Sequence, residues 1–304
     1  MSQVVTFGET LVGFRSEGPL RLPASLAADV RGAESNVAIG LARLGHSVSW
    51  ISRVSRDAYG EAVLRVLRAE GVDVGGVVRD DRPTGTMLIQ QRTVDLAIVD
   101  YRRAGSAASG LVAADVAWAE APAVLHVTGI TPALSESCRA ATVDAVTRAR
   151  EAGSLVTLDV NYRAKLWSVA EAVPVLRELL PHVDVVIASA DELDLVTDTG
   201  TEGLLARGVR EVLVKRGADG ASSVTAAGVV EEPAVRVTAV DPIGAGDAFC
   251  AGWISGYLDG EDVVGRLRRG VVCGAFAAST YGDTAGLPTR SDLGLLGVRE
   301  TTVR

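Results

Sequence analysis

Short apolar runs alternate with longer segments of helical period along most of this chain. Val4–Phe7 is a first apolar run, closed by Gly8, and predicts a buried strand. In GAESNVAIGLARLG (32–45), Val37, Leu41 and Leu44 fall on one helical face and Gly45 ends the segment. SVSWISRVS (47–55) predicts a further strand, and AYGEAVLRVLRAEG (58–71) a helix that stops at Gly71. From residue 123 the alternation becomes regular. AVLHVTG (123–129), SLVTLDVN (154–161), DVVIAS (184–189) and REVLVKRG (210–217) read as strands. Helices are expected over 134–152, over 169–180, and from ADELDLV (190–196) onward. This spacing predicts an α/β fold: a doubly wound, mainly parallel sheet flanked by helices.

Two segments break the rhythm. Residues 10–16 and 75–103 have β character, and TMLIQQ with LAIVDYRR (86–103) reads as a hairpin. They are expected to form a small β-sheet lid inserted into one domain spanning 1–304; an edge extension of the main sheet is the alternative. Ligands of a doubly wound sheet gather beyond the carboxyl ends of its strands. The residues so placed are His126, Thr128, Gly129, Asp159, Asn161, Arg163, Ser189, Glu192, Lys215 and Gly217, together with the turn 241–247.

That turn, DPIGAGD, carries the most specific chemistry. It leads into AFCAGWISGYL, apolar on nearly every face and therefore a buried helix, in which Gly252 and Gly256 would let a neighbour approach closely. The first amides of a helix have no internal partners and, with the macrodipole, attract an anion. Gly244, Ala245 and Gly246 leave the backbone open to a phosphate. Asp247 at a helix N-terminus is expected to be ionised, with a low pKa. It can orient a hydroxyl and take its proton late in a loose phosphoryl transfer, or it can simply cap the helix.

Composition narrows the partners. A formal charge of −8 over 304 residues argues against nucleic acid and against an anionic membrane. An anionic ligand would have to be met by locally gathered cations. The three cysteines are widely spaced with no CxxC, which points to free thiols and a cytoplasmic setting. MSQVVTFGET has no basic region or long apolar run, so no signal peptide is expected, and no segment has the ~18 uninterrupted apolar residues of a membrane span. His46, His126 and His182 show no metal spacing and are expected to be structural. Arg266, Leu267, Arg268 and Arg269 read as a solvated helical face, and the four tryptophans as core or interface.

DPIGAGDAFCAG resembles the C-terminal signature of the ribokinase-like (PfkB) carbohydrate kinases. GAESNVAIGLARLG resembles the family's glycine-asparagine sugar segment, SRDAYG its other N-terminal motif, and KRGADG (215–220) its nucleotide-side turn. Within the family, YRRAGSAAS, LHVTGITPALS, LDVNYRAKLW and the Asp-Pro before GAGD most resemble 2-keto-3-deoxygluconate kinases. The resemblance implies ATP-dependent phosphorylation of the terminal hydroxyl of that sugar acid, with Mg²⁺. It leaves room for a monovalent cation such as K⁺.

Carried over by position, it implies Asp247 as base and the amides of Gly244, Ala245 and Gly246 as anion hole. Gly32, Ala33, Asn36 and Met87 would meet the sugar, and Tyr101, Arg103, Asn161 and Arg163 its acid end, with Asp283 at the edge. Ser189, Lys215, Gly217, Gly220 and Gly274 would border the nucleotide, and Glu192 would act on Mg²⁺ through water. A carboxylate is best held by arginine forks, which Arg103 and Arg163 supply. Ser189 stands where the family usually has Asn, and Met87 where an aromatic would suit a sugar better. A neutral-sugar kinase of the same family and a non-catalytic sugar-acid sensor remain open. An apolar lid face makes a homo-oligomer the default.

Overall fold

The computed structural model describes residues 2–93 and 96–296. Its strands are β1 Val4–Phe7, β2 Leu11–Glu17, β3 Ala27–Arg31, β4 Val48–Ile51, β5 Arg53–Ser55, β6 Val78–Asp80, β7 Thr86–Thr93, β8 Leu96–Arg102, β9 Val124–Thr128, β10 Leu155–Asp159, β11 Val185–Ser189, β12 Glu211–Lys215, β13 Ala221–Thr225 and β14 Gly228–Glu232. The helices are α1 Ala33–Arg43, α2 Ala58–Ala69, α3 Ile130–Leu134, α4 Glu136–Glu151, α5 Val169–Leu179, α6 Leu193–Val196, α7 Gly200–Ala206, α8 Ala245–Leu258 and α9 Val263–Ala278.

The main sheet has the order β14-β13-β12-β11-β10-β9-β1-β4. It is parallel from β12 to β4, and antiparallel at β13 and β14. Every residue of β1, β9 and β10 is buried, as in strands covered on both faces, so even Thr6, His126 and Asp159 are enclosed. One face packs against α1, α8 and α9 through Leu41, Phe249, Trp253 and Leu267; the other packs against α4 and α5 through Ala145, Leu176 and Leu179. α8 is buried nearly all round, as its sequence required. A Cβ on Gly252 or Gly256 would come within 2.7 Å of α9 backbone, so these glycines set the α8–α9 approach.

A separate small sheet, β3-β2-β7-β8, presents Leu11, Met87 and Ile89 inward with Val99 and Tyr101 packed beside them. Its membership differs from the sequence reading. β3 was not anticipated, because Ala27–Arg31 is short and largely exposed on its first three residues. Residues 78–80 instead pair with β5. The expected single strand over 47–55 therefore divides, β4 staying in the main sheet and β5 leaving it. The hairpin tip, 94–95, lies outside the described residues.

The run 266–269 is solvated only at Arg268, whose side chain is 72% exposed. Leu267 is buried, Arg266 pairs with Glu211 at 2.6 Å and lies over Trp253, and Arg269 pairs with Asp259 and Glu261. No helix among the described residues is long and apolar enough to cross a membrane.

Candidate active site

The carboxyl ends of β9 to β12, the small sheet and the start of α8 enclose two adjoining cavities, of about 510 and 620 Å³. The first is polar. Gly32, Ala33, Asn36, Met87, Tyr101, Arg103, Asn161, Arg163, Ser189, Glu192, Asp247 and Asp283, scattered over 250 positions of sequence, all line it. The second is apolar and is lined by Gly217, Gly220, Ala245 and Gly274 with Val235, Val237 and Phe249. The two meet at Lys215, Pro242 and Gly246. Ser189, expected on the nucleotide side, opens on the first cavity instead, because β11 ends one strand short of the second. His126 belongs to neither; it is fully buried, bonded to Thr157 Oγ1 at 2.8 Å, and burial lowers its pKa to about 4.

Gly244 starts α8 in a left-handed conformation (φ 82°), and a Cβ there would lie 2.7 Å from the Asp283 carbonyl oxygen. The turn thus needs glycine for its own geometry, apart from any ligand. Ala245 N–H donates to the Pro242 carbonyl at 3.3 Å, so this amide is spoken for. Gly246 is the open position: only the Lys215 ammonium, at 3.4 Å, comes near where its Cβ would be.

Asp247 lies at the floor of the first cavity. Asn36 Nδ2 donates to its Oδ2 at 2.7 Å and Asn161 Nδ2 to its Oδ1 at 3.5 Å. Its pKa is not low. Burial raises it to about 7; the Asn36 hydrogen bond opposes the rise, and the Asp159 and Asp283 carboxylates add to it. The helix N-terminus is outweighed because desolvation acts on the whole charge, whereas the dipole offers a partial one. Asn161 is held at φ 38°, a left-handed position that costs a non-glycine residue about 1–3 kcal/mol and is typical of functional sites. The amide oxygens of Asn36 and Asn161 are both buried without a partner, which leaves two acceptors available to ligand hydroxyls.

Arg103 is fixed by an ion pair with the buried Glu9 and lies 5.1 Å over the Tyr101 ring. Arg163 is exposed and donates only to the Tyr162 carbonyl, so its guanidinium has no carboxylate partner among the described residues. Asp283 is held by Arg31 and by Asn36 Nδ2 at 3.3 Å. Glu192 accepts amide hydrogen bonds from Tyr162 and Ser189, both at 2.8 Å.

Three charged residues of the first cavity were not anticipated: Glu9, Arg31 and Glu34. Glu9 follows the carboxyl end of β1 and could have been found by the strand-end rule. Glu34 sits inside the GAESN segment; buried completely, it accepts from Thr128 and Thr131 hydroxyls at 2.6 Å, and burial raises its pKa. Arg31 lies on the unanticipated β3 and carried no signal.

A family model, pfkB family carbohydrate kinase, matches residues 1–290. This chain belongs to the pfkB family of carbohydrate kinases. A 2-dehydro-3-deoxygluconokinase of Bacillus subtilis is 38% identical over 95% of this chain and 93% of its own. A 2-dehydro-3-deoxygalactonokinase of Haloferax volcanii is 35% identical over 93% of each. A crystal structure from E. coli, described as Ribokinase II with ATP and Mg²⁺, superposes with a TM-score of 0.88 at 26% identity, over 97% of this chain and 99% of that one. The pfkB membership fixes the ribokinase-like fold and the reaction type: phosphoryl transfer to an alcohol, with ATP and Mg²⁺ as the family's cofactors.

The donor set suits Mg²⁺ held mainly by phosphates and water. Among the described residues no three His, Cys, Asp or Glu side chains cluster to hold a metal, whereas Glu192 offers one oriented carboxylate with lone pairs left for bound water.

Proposed function

We propose that this pfkB kinase phosphorylates the terminal hydroxyl of 2-keto-3-deoxygluconate with ATP, giving 2-keto-3-deoxy-6-phosphogluconate. The observation that carries the reading is the meeting of a polar, arginine-bearing cavity with an apolar one at Gly246, one residue before the buried Asp247. The sugar acid occupies the first cavity, its carboxylate toward Arg163 and Arg103 with Tyr101 beside them. Its hydroxyls reach the amide oxygens of Asn36 and Asn161, and Asp283 and Met87 line its flank with Gly32 and Ala33. The adenine and ribose of ATP lie in the second cavity against Gly217, Gly220 and Gly274. Mg²⁺, reached through water from Glu192, would draw charge from the phosphates. Asp247 orients the terminal hydroxyl and accepts its proton as the oxygen bonds to phosphorus. The open amides at Gly244 and Gly246 receive the phosphoryl oxygens.

The small sheet acts as a lid. Its inward face contributes Leu11, Met87, Val99 and Tyr101 to the cavity wall, and closure over the sugar excludes water and so favours transfer over hydrolysis. Its outward face exposes Leu96 and Ile98. We assign this face to a second copy of the chain. Light scattering is expected to find a homo-oligomer that Ile98→Glu dissociates; a monomeric wild type would remove the assignment.

The function is tested by ADP release over gluconate- and galactonate-type 2-keto-3-deoxy acids beside ribose and fructose. Turnover is expected with the acids alone. Arg163→Ala is expected to raise KM for the acid at least about tenfold, the scale of a lost charge-assisted hydrogen bond, with the KM for ATP unchanged. Preferred turnover of a neutral sugar, or equal loss for both substrates, refutes the sugar-acid assignment.

A further inference from the structure

Lys215 is the charged residue common to both cavities. Its ammonium nitrogen faces the first turn of α8, 3.4 Å from the position a Cβ would take on Gly246. That is an unfavourable place for a cation. The leading end of a helix carries roughly half a positive charge, and a lysine there adds charge of the same sign. Burial also disfavours the ammonium.

The fold keeps the charge in place nonetheless. Asp159, 1% exposed at the end of β10, accepts from Lys215 Nζ through both oxygens, at 2.8 and 2.9 Å. Its Oδ2 is also contacted by the Cys250 thiol at 3.3 Å. Despite burial, the Asp159 charge holds the lysine well above its ordinary pKa. Asp159 engages two of the three N–H donors of an ammonium. A third remains for the seam between the cavities, where two converging positive features would bind a multiply charged anion and little else.

We propose that Lys215 is a catalytic residue: the cation that, opposite the first turn of α8, neutralises the phosphoryl group while it passes between the two cavities. The inference rests on the reading of the 241–247 turn given above and extends it. In the step, the sugar oxygen bonds to the terminal phosphorus of ATP. The bond from that phosphorus to the bridging oxygen breaks, its electron pair leaves with ADP, and the hydroxyl proton passes to Asp247. Lys215 stays protonated throughout. It meets the terminal phosphate in the bound nucleotide and holds its oxygens more strongly as negative charge is redistributed on them, so its loss shows in kcat and also in binding of a nucleotide that carries that phosphate.

Lys215→Met alone is ambiguous, because it leaves Asp159 buried and unpaired, which is destabilising in itself. The test therefore compares Lys215→Met, Asp159→Asn and the double variant. Lys215→Met is expected to lower Tm and the double variant to recover it, while kcat stays down in both by about 10²- to 10³-fold, the scale of one lost transition-state donor. KM for the sugar acid stays near wild type. Calorimetry is expected to show that Lys215→Met weakens the β,γ-imido analogue of ATP more than ADP. A double variant that turns over as fast as Asp159→Asn, or equal weakening of analogue and ADP, overturns the proposal. The binding comparison needs no turnover, so it decides the role of Lys215 even if the wild type were found to phosphorylate some other alcohol.

Discussion

Asp247→Asn is expected to lower kcat by roughly 10²- to 10⁴-fold, the contribution of a positioned general base, with nucleotide binding retained. The variant is isosteric: its amide oxygen can still accept from Asn36 Nδ2, and its NH₂ can donate to the unpartnered Asn161 oxygen once that amide turns, but it cannot accept a proton. In the wild type, kcat/KM should climb as pH rises through about 7, where the buried carboxyl ionises. The same shift makes a prediction about stability. The folded-state pKa is raised above its ordinary 3.8, so the folded protein holds this proton more tightly than the unfolded chain does. The stability contributed by that proton is complete below about pH 4 and is lost as pH rises through about 7. Asp247→Asn removes that loss. Its Tm should exceed that of the wild type at pH 8, and the two should converge toward pH 4. Turnover of the variant within tenfold of wild type at pH 8 would exclude Asp247 as the base. A profile without an acidic limb near neutrality would show that burial does not set its pKa.

This behaviour was not legible in the sequence. Position relative to α8 could be read, and it predicted an ionised aspartate. The desolvation that reverses the prediction comes from burial in the closed fold, which also brings the Asp159 and Asp283 carboxylates, far apart in sequence, close enough to add to it. What could be read well were features with local signatures: the parallel strands with their short apolar runs, the buried helix with Gly252 and Gly256, and the strand-end positions of Asn161, Ser189 and Lys215. Features fixed by pairing across the chain were hidden. Residues 78–80 looked like part of the hairpin sheet until β5 claimed them. Arg31, on an edge strand of five residues, had no pattern to announce it, though its ion pair now anchors Asp283. In the run 266–269 the expectation of a solvated face holds for Arg268 but fails for Arg266 and Arg269, because charge pattern reports sequence while Glu211, Asp259 and Glu261 draw those two inward. The 304-residue single domain with its lid remains a proposal about behaviour; the small sheet itself is structure.

Gly246→Val is the second large effect expected, and it separates space needed by a ligand from space needed by the fold. Gly244 cannot serve for this. Its φ of 82° and the Asp283 carbonyl 2.7 Å from a would-be Cβ mean that any side chain there strains the backbone, so loss of activity would be confounded by loss of structure. Gly246 lies within α8 at an ordinary helical φ, and the only atom near its Cβ position is the end of the flexible Lys215 side chain. A Cβ meets nothing but that flexible end, and a valine is expected to fold there at a propensity difference from glycine of a few tenths of a kcal/mol. It cannot be accommodated together with a phosphoryl group at the seam of the two cavities. Tm should therefore stay within a few degrees of wild type, while kcat/KM for ATP falls about 10²- to 10³-fold, as when an oxyanion donor is lost. Gly246→Ala should fall between the two. If phosphate passes the α8 turn as proposed, the loss should appear with every alcohol acceptor, because the obstruction would lie on the phosphoryl path. A Gly246→Val protein that is folded and fully active would mean that the phosphate travels by another route, and the assignment of the α8 turn as anion hole would have to be withdrawn.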